Sequence, residues 1–272
     1  MGVVGDGAKL IGEVKNAVEQ TPKGKEAVAL GGESAEIVMH TLRNVLLPLA
    51  AFNFAVDKAK HYFEDKFADD LEAKLEEIPA ENIVEPKASI VGPAMQGLAY
   101  SFEEDDLREM YLNLLKASMD GRKPEGAHPA YVEIIKQLSA REAHLLSLVG
   151  RDGIAPTNFP LLRVKAINKG TPEANFQILH EHFMDVNDVF GSFPVDALEL
   201  TRVIDNWSRL GLASIDYSTH LTAPGLYDFS ATFPQIELVR GGWTALNHEI
   251  EFAQGILRFT ALGKGFFEAT VL

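Results

Sequence analysis

The stretch RLGLASIDY, residues 209–217, decides how the C-terminal half of the chain is interpreted. Before it, Val203, Ile204 and Trp207 are at helical spacing, and Gly211 has the place of a residue that ends a helix. After Gly211, the residues LASIDY alternate in the manner of a strand. The pattern therefore predicts a helix that ends at Gly211 and a strand directly behind it.

The sequence downstream and upstream of this stretch extends the prediction. GILRFT (255–260) alternates like a second strand, and ALGKGFFEATVL (261–272) is predicted to be a terminal helix. Upstream, the spacing predicts helices over 139–149 and 172–190. The C-terminal half is thus predicted to have two helices, the helix that ends at Gly211, two strands and a last helix. This is the order of elements in a winged-helix domain.

The N-terminal half is predicted to be helical throughout. Residues 33–78 form a long helical zone in which Pro48 kinks the helix or starts a new one. From Pro48 onward one apolar stripe repeats at intervals of three or four residues, through Phe52, Val56, Ala59, Phe63, Phe67, Leu71 and Leu75. We therefore expect a mainly α protein with three parts: a mobile or weakly ordered arm (1–30), a helical domain with long amphipathic helices (31–138) and a winged-helix-like domain with a small β-hairpin (139–272).

Capping boxes mark three further helix starts. Ser101 with Glu104, Ser139 with Glu142, and Asp196 with Glu199 have the spacing of a cap and the residue three positions on. The acidic residues 103–106 fit the first turn of the helix after Ser101, where the helix dipole favours anions. These carboxylates are therefore interpreted as a helix end and not as an acid–base pair.

The stretch HPAYVEIIKQLSAREAHLL, residues 128–146, holds the titratable residues with the best claim to function. His128 precedes Pro129, which presets a helix start, and Tyr131 begins the apolar side of that helix. Gln137 and Ser139 lie where a second helix follows without a linker. The structural interpretation, with His128 bonded to backbone and Ser139 as a cap, is favoured over a catalytic His128.

Motifs for other chemistry are incomplete. His180 and His182 are two residues apart, a spacing that does not place two ligands on one face of a helix, and no His-Glu-x-x-His motif is present. Gly5-x-Gly7 lacks the third glycine of a nucleotide-binding motif, and Gly263-Lys264 has no glycine five residues before Gly263. We therefore predict no catalytic, cofactor-binding or metal-ligating residues and no bound small molecule.

Composition limits the class of partner. The chain has 272 residues, a formal net charge of -14 and no cysteine. The negative charge disfavours nucleic acid, and the absence of cysteine and of a secretory signal favours a cytoplasmic protein. The apolar stretch 45–56 falls short of the roughly 20 residues of a spanning helix, although residues 45–67 could lie on the inner membrane.

Between residues 106 and 143 the chain has an ordered set of short motifs: Asp106-Leu107-Arg108, Leu114-Leu115, His128-Pro129, Tyr131, Ile134-Ile135, Gln137-Leu138-Ser139 and Glu142-Ala143. This set resembles the signature of the bacterial abortive infection alpha family, a family of unknown biochemical function. The resemblance covers residues 84–149 well, and the RLGL stretch less well. It implies a role in phage defence, and it transfers no catalytic residue.

The resulting hypothesis is a phage-defence protein that acts through contacts with a protein partner or as a homo-oligomer, without enzymatic activity of its own. Two alternatives stay open. One is a membrane-acting effector that uses the apolar residues 45–56. The other is a hydrolase with a site around His128, to which Arg108 and a carboxylate would contribute.

Overall fold

The computed structural model describes residues 57–150, 157–170, 176–185, 189–190, 194–232 and 234–272. The chain divides into two compact units. The first unit is Met1–Ser147 with Phe266–Leu272, and the second is Leu148–Gly265. The predicted arm (1–30), Pro48 and the apolar stretch 45–56 lie outside the described residues.

The first unit is built from helices. They are α1 (Asp57–Asp65), α2 (Phe67–Leu75), α3 (Ala88–Ser101), α4 (Asp105–Met119), α5 (Pro129–Ile135) and α6 (Ala140–Val149), the last of which ends in the second unit. Phe63, Phe67, Leu71 and Leu75 are buried, which confirms the described part of the predicted apolar stripe. The helix that carries them is not continuous, because α1 and α2 are separate helices that meet at Lys66.

A close contact between α3 and α4 depends on a glycine. A Cβ atom at Gly97 would overlap the ring and hydroxyl group of Tyr111 on α4, whereas nothing lies within 4 Å of a Cβ at Gly92. The predicted capping box at Ser101 is wrong, because Ser101 is still in α3 and its hydroxyl group donates to the Gly97 carbonyl at 3.0 Å. The cap position of α4 is held by Glu104, and Asp105 and Asp106 occupy its first turn.

The second unit contains a sheet. Its elements are β1 (Asn158–Asn168), β2 (Phe176–Phe183), α7 (Ala197–Arg209), β3 (Ala213–Asp216), α8 (Phe229–Thr232), α9 (Pro234–Ala245), β4 (His248–Phe259) and α10 (Ala261–Thr270), the last of which ends in the first unit. The four strands are antiparallel in the order β2-β1-β4-β3. The pairing of β1 with β4 runs from Asn158 opposite Arg258 to Asn168 opposite His248.

This sheet overturns the predicted fold class. The protein is not mainly α and has no winged-helix-like half, because β1 and β2 supply half of a four-stranded sheet. The helix predicted over 172–190 is wrong, since Phe176–Phe183 is a strand. Its apolar residues also fit helical spacing, and the pairing with the preceding strand β1 decides for the strand.

Five local predictions in this half are confirmed. Helix α7 ends at the predicted turn, where Gly211 has a positive φ of 76°. Asp196 caps α7 by accepting the backbone N–H of Glu199 at 2.9 Å. Strand β3 and the terminal helix α10 are at their predicted places, and GILRFT lies within the longer strand β4.

One face of the sheet is covered by the segment that follows β3. Leu162 and Val164 of β1 and Phe183 of β2 form a buried cluster with Tyr227 and Phe229. The Tyr227 hydroxyl group donates to the Gly255 carbonyl at 2.9 Å and accepts the backbone N–H of Leu221 at 3.0 Å. This segment therefore fixes the sheet from one side, and β2 and β3 are the two outermost described strands.

Candidate interaction surface

Six of the seven sequence-predicted residues lie in or next to α5 and α6, and the seventh, Arg108, lies in α4. His128 is the cap of α5, and its ring nitrogen Nδ1 accepts the backbone N–H of Ala130 at 3.1 Å. Pro129 occupies the first helical position. Tyr131 is buried edge-to-face against Phe266 at 5.8 Å between ring centroids, and this burial raises the pKa of its hydroxyl group.

The predicted capping box at the start of α6 is present. The backbone N–H of Ser139 donates to Glu142 Oε2 at 2.8 Å, and the backbone N–H of Glu142 donates to Ser139 Oγ at 3.2 Å. The side-chain amide of Gln137 donates to the Glu133 carbonyl at 2.8 Å. These polar groups stabilise the two helix ends between which the chain turns.

Within the described residues, no hydrogen bond or ion pair joins Arg108 to His128. The Arg108 guanidinium donates to the Phe102 carbonyl and pairs with Asp105, each at 2.8 Å. A polar pair that the sequence did not predict lies nearby, with His144 Nδ1 at 2.9 Å from Asp106 Oδ2. The pair ties the first turn of α4 to α6, and no spacing in the sequence signals it.

The outer strand β2 exposes two large apolar residues. Phe176 is 60% exposed and Ile178 is 42% exposed. The register with β1 is regular here, with Phe176 opposite Ile167, Gln177 opposite Ala166 and Ile178 opposite Lys165. Because side chains alternate along a strand, Phe176 and Ile178 share one face of the sheet. We call these two residues the β2 patch.

The charged neighbours of the β2 patch have partners within the unit. The Lys165 ammonium lies 5.5 Å from the centroid of the Phe176 ring and 3.5 Å from Glu251 Oε1. The stem of such a lysine can cover apolar surface while its charge stays in water. The patch is therefore apolar at its centre and electrically balanced at its rim.

A buried histidine fixes the C-terminal end of β2. His182 has a positive φ of 54°, a strained conformation for a residue with a side chain. Its backbone N–H donates to the Tyr217 hydroxyl oxygen at 3.1 Å, and its ring nitrogen Nδ1 lies 3.0 Å from the same oxygen. The other ring nitrogen, Nε2, lies 3.1 Å from Asp205 Oδ1 on α7. We call these three residues the His182 lock.

Arginine and glutamate side chains support the lock. The Arg163 guanidinium stacks over the Tyr217 ring at 4.0 Å and donates to Glu181 Oε2 at 2.8 Å. Burial, the largest cause, raises the pKa of Tyr217 to about 12, so its hydroxyl group stays protonated at neutral pH. A tyrosine of this kind is a hydrogen-bonding residue and a poor nucleophile, so the arrangement holds structure in place.

Next to the lock, His180 has a ring nitrogen without a partner. Its Nε2 atom is buried and makes no hydrogen bond. Burial lowers the pKa of His180, the nearby His182 lowers it further, and Glu181 opposes both effects. The ring packs edge-to-face on Phe183 at 5.7 Å, so His180 belongs to the apolar packing of β2.

Two other classes of site have no support in the part of the chain that the structure describes. It holds no group of three or more histidine, aspartate or glutamate residues placed to bind a metal ion. None of its helices combines the length and apolar character needed to cross a bilayer.

Neither the β2 patch nor the His182 lock was predicted from the sequence. A signal for the strand pair was present in β1, where buried Leu162, Val164 and Ala166 alternate with Arg163 and Lys165. The residues of the His182 lock are far apart in the sequence, so no local spacing indicates them.

The comparisons with known proteins gave one finding. A family model described as abortive infection alpha matches residues 59–270. Neither the curated proteins nor the solved structures yielded a match.

Proposed function

The chain belongs to the abortive infection alpha family, and from this membership we propose that it serves phage defence by abortive infection through contact with another protein. The proposal needs no chemical step from this chain. The contact surface is the outer side of β2, centred on Phe176 and Ile178.

The observation that carries the proposal is the apolar side of an outermost strand. Edge strands offer unpaired backbone N–H and C=O groups to another chain, and natural proteins usually protect them with lysine, proline or a covering element. Strand β2 contains neither lysine nor proline, and its exposed large apolar residues are Phe176 and Ile178. Among the described residues, helix α7 forms its hydrogen bonds with β2 at the other end of the strand, at Glu181 and His182. Added strands commonly bind at such an edge through backbone hydrogen bonds and side chains on one face.

The His182 lock supports the same proposal. It ties the end of β2 to α7 and to the residue after β3, so the strand is held in place before a partner arrives. A preformed surface loses less conformational entropy on binding than a mobile one. The strained backbone of His182 therefore fits a strand that is held in one conformation for binding.

Phage challenge of cells that carry the protein tests the proposal. We expect the double variant Phe176→Ser/Ile178→Ser to lose protection, because its edge strand no longer offers apolar side chains. The matched control is Leu198→Ser/Leu246→Ser, which removes two leucines that are 68% and 65% exposed outside the strands. The control should protect like the wild type at equal protein level.

Two results would contradict the proposal. Full protection by the folded and normally expressed Phe176→Ser/Ile178→Ser protein would exclude the β2 patch as the contact surface. Equal loss in both double variants would point to a general effect of removing exposed apolar side chains, and would also contradict the proposal.

A further inference from the structure

We propose that the partner of β2 is a second copy of this chain, whose β2 pairs antiparallel with the first about a two-fold axis at Gln177. The inference rests on the proposed function, because it names the partner of the same surface. Among the strands that the structure describes, β2 is paired with β1 alone. Helix α7 contacts the C-terminal end of β2, where the Thr201 hydroxyl group donates to the Glu181 carbonyl at 2.8 Å, whereas residues 176–178 at the start of the strand are exposed.

The side chains of β2 are self-complementary about Gln177. In an antiparallel pair centred on that residue, Phe176 of each copy lies opposite Ile178 of the other. These are aromatic and β-branched neighbours, a favourable type of cross-strand pair, and both pairs fall on the same face. Gln177 meets Gln177 on the axis, where one amide can donate to and accept from the other. An interface with a two-fold axis requires this matching of a surface to itself.

Charge also favours a second copy. Residues 176–178 carry no charge, so the two strands bring no like charges into direct opposition. The nearest ammonium group, Lys165, already pairs with Glu251, and Glu181 already pairs with Arg163. A strongly charged foreign segment would find no counter-charge at the centre of this surface.

The size of the patch sets the strength of the association. Phe176 and Ile178 are 60% and 42% exposed, which corresponds to roughly 200 Å² of surface per copy. Stable interfaces bury roughly 1,200–2,000 Å² in total. Pairing through β2 alone therefore gives a weak dimer that forms as the protein concentration rises. The product is a continuous sheet with four strands from each copy.

Disulfide trapping tests the axis directly, because the natural chain has no cysteine. Residues directly opposite each other in an antiparallel pair have Cα atoms about 4.5–5.5 Å apart, which a disulfide can span. We expect purified Gln177→Cys protein to form a disulfide-linked dimer under mild oxidation. The matched control is Ser214→Cys, an exposed residue on β3, the opposite edge strand. Equal dimer yields from the two variants, or none from Gln177→Cys, would overturn the proposed axis.

Sedimentation of the uncrosslinked protein tests the association itself. Between about 1 µM and about 100 µM, a range suited to weak interfaces, the mean mass should rise from one chain of 29.8 kDa toward two. The variant Phe176→Lys/Ile178→Lys, which places charges on the edge, should stay at one chain throughout. A circular dichroism spectrum like that of the wild type shows that the variant is folded.

The two proposals fail separately. A wild-type mass of one chain at every concentration overturns the second copy as partner. If the Phe176→Ser/Ile178→Ser variant then still loses phage protection, the β2 surface acts on a different protein. If instead the wild type dimerises, and this variant stays a single chain but still protects, the contact between copies is real and the proposed function of this surface is wrong.

Discussion

His180 is a single residue at which pH should control stability. Its pKa is lowered in the folded protein, first by burial and then by His182, whereas a histidine in an unfolded chain has a pKa of about 6.5. The unfolded chain therefore takes up the proton more readily. The stability that neutral His180 contributes is fully present above its pKa in the unfolded chain. It is lost as the pH falls from that value through the lower pKa of the folded protein.

Urea unfolding at pH 7.5 and pH 5.5 measures this effect, and we expect a lower free energy of unfolding at about pH 5.5. The variant His180→Phe should show a smaller difference between the two pH values, because its ring cannot titrate. His220→Gln, a change at an exposed histidine, is the control and should keep the wild-type difference. A His180→Phe protein with the full wild-type difference would contradict the assignment to His180.

At the scale of one helix, the two glycines of α3 provide a matched pair. Gly97→Ala places a methyl group into the Tyr111 side chain, and such overpacking typically costs about 1–3 kcal/mol. Gly92→Ala meets nothing within 4 Å and should gain stability, by up to about 1 kcal/mol, from the higher helix propensity of alanine. The midpoint of urea unfolding should thus move in opposite directions for the two variants. A shift in the same direction for both would mean that the contact between α3 and α4 is not tight at Gly97.

The His182 lock joins three elements, and removal of one oxygen atom tests it. Tyr217→Phe leaves the backbone N–H of His182 and its Nδ1 atom without their partner, which should lower the free energy of unfolding by about 1–3 kcal/mol. Amide hydrogen exchange should become faster at the end of β2. The control, Tyr100→Phe, removes a hydroxyl group from a side chain that is 80% exposed and should change stability by less than about 0.5 kcal/mol. Unchanged exchange at β2 in Tyr217→Phe would show that the lock does not hold the strand.

These elements also show where the sequence was sufficient. Helix α7, its cap Asp196 and its end at Gly211 depend on neighbouring residues, and they were predicted. The box of Ser139 and Glu142 is local in the same way. Strand β2 was predicted as a helix because its apolar residues also fit helical spacing, although the alternation in the preceding strand β1 indicated a partner strand. Its lock to Tyr217, which is 35 residues from His182, has no local signal. The β2 patch could therefore not be predicted before the sheet was known.

At the scale of the whole molecule, the net charge and the β2 surface act in opposite directions. Each chain carries a formal charge of -14, so two copies repel each other at long range. The proposed contact itself is uncharged and depends on apolar side chains and backbone hydrogen bonds. Local attraction therefore competes with repulsion between the two molecules as wholes, and salt screens only the repulsion.

Salt should for this reason strengthen the dimer. The Debye length shortens from roughly 30 Å at about 0.01 M salt to roughly 8 Å at about 0.15 M, which removes most of the repulsion between two copies. Sedimentation at fixed protein concentration should show a larger dimer fraction at the higher salt. The Phe176→Lys/Ile178→Lys variant should remain a single chain at both, since screening cannot restore its apolar strand edge. A dimer that instead weakens with salt would depend on attraction between opposite charges, which the uncharged residues 176–178 do not provide, and its interface would have to lie elsewhere on the chain.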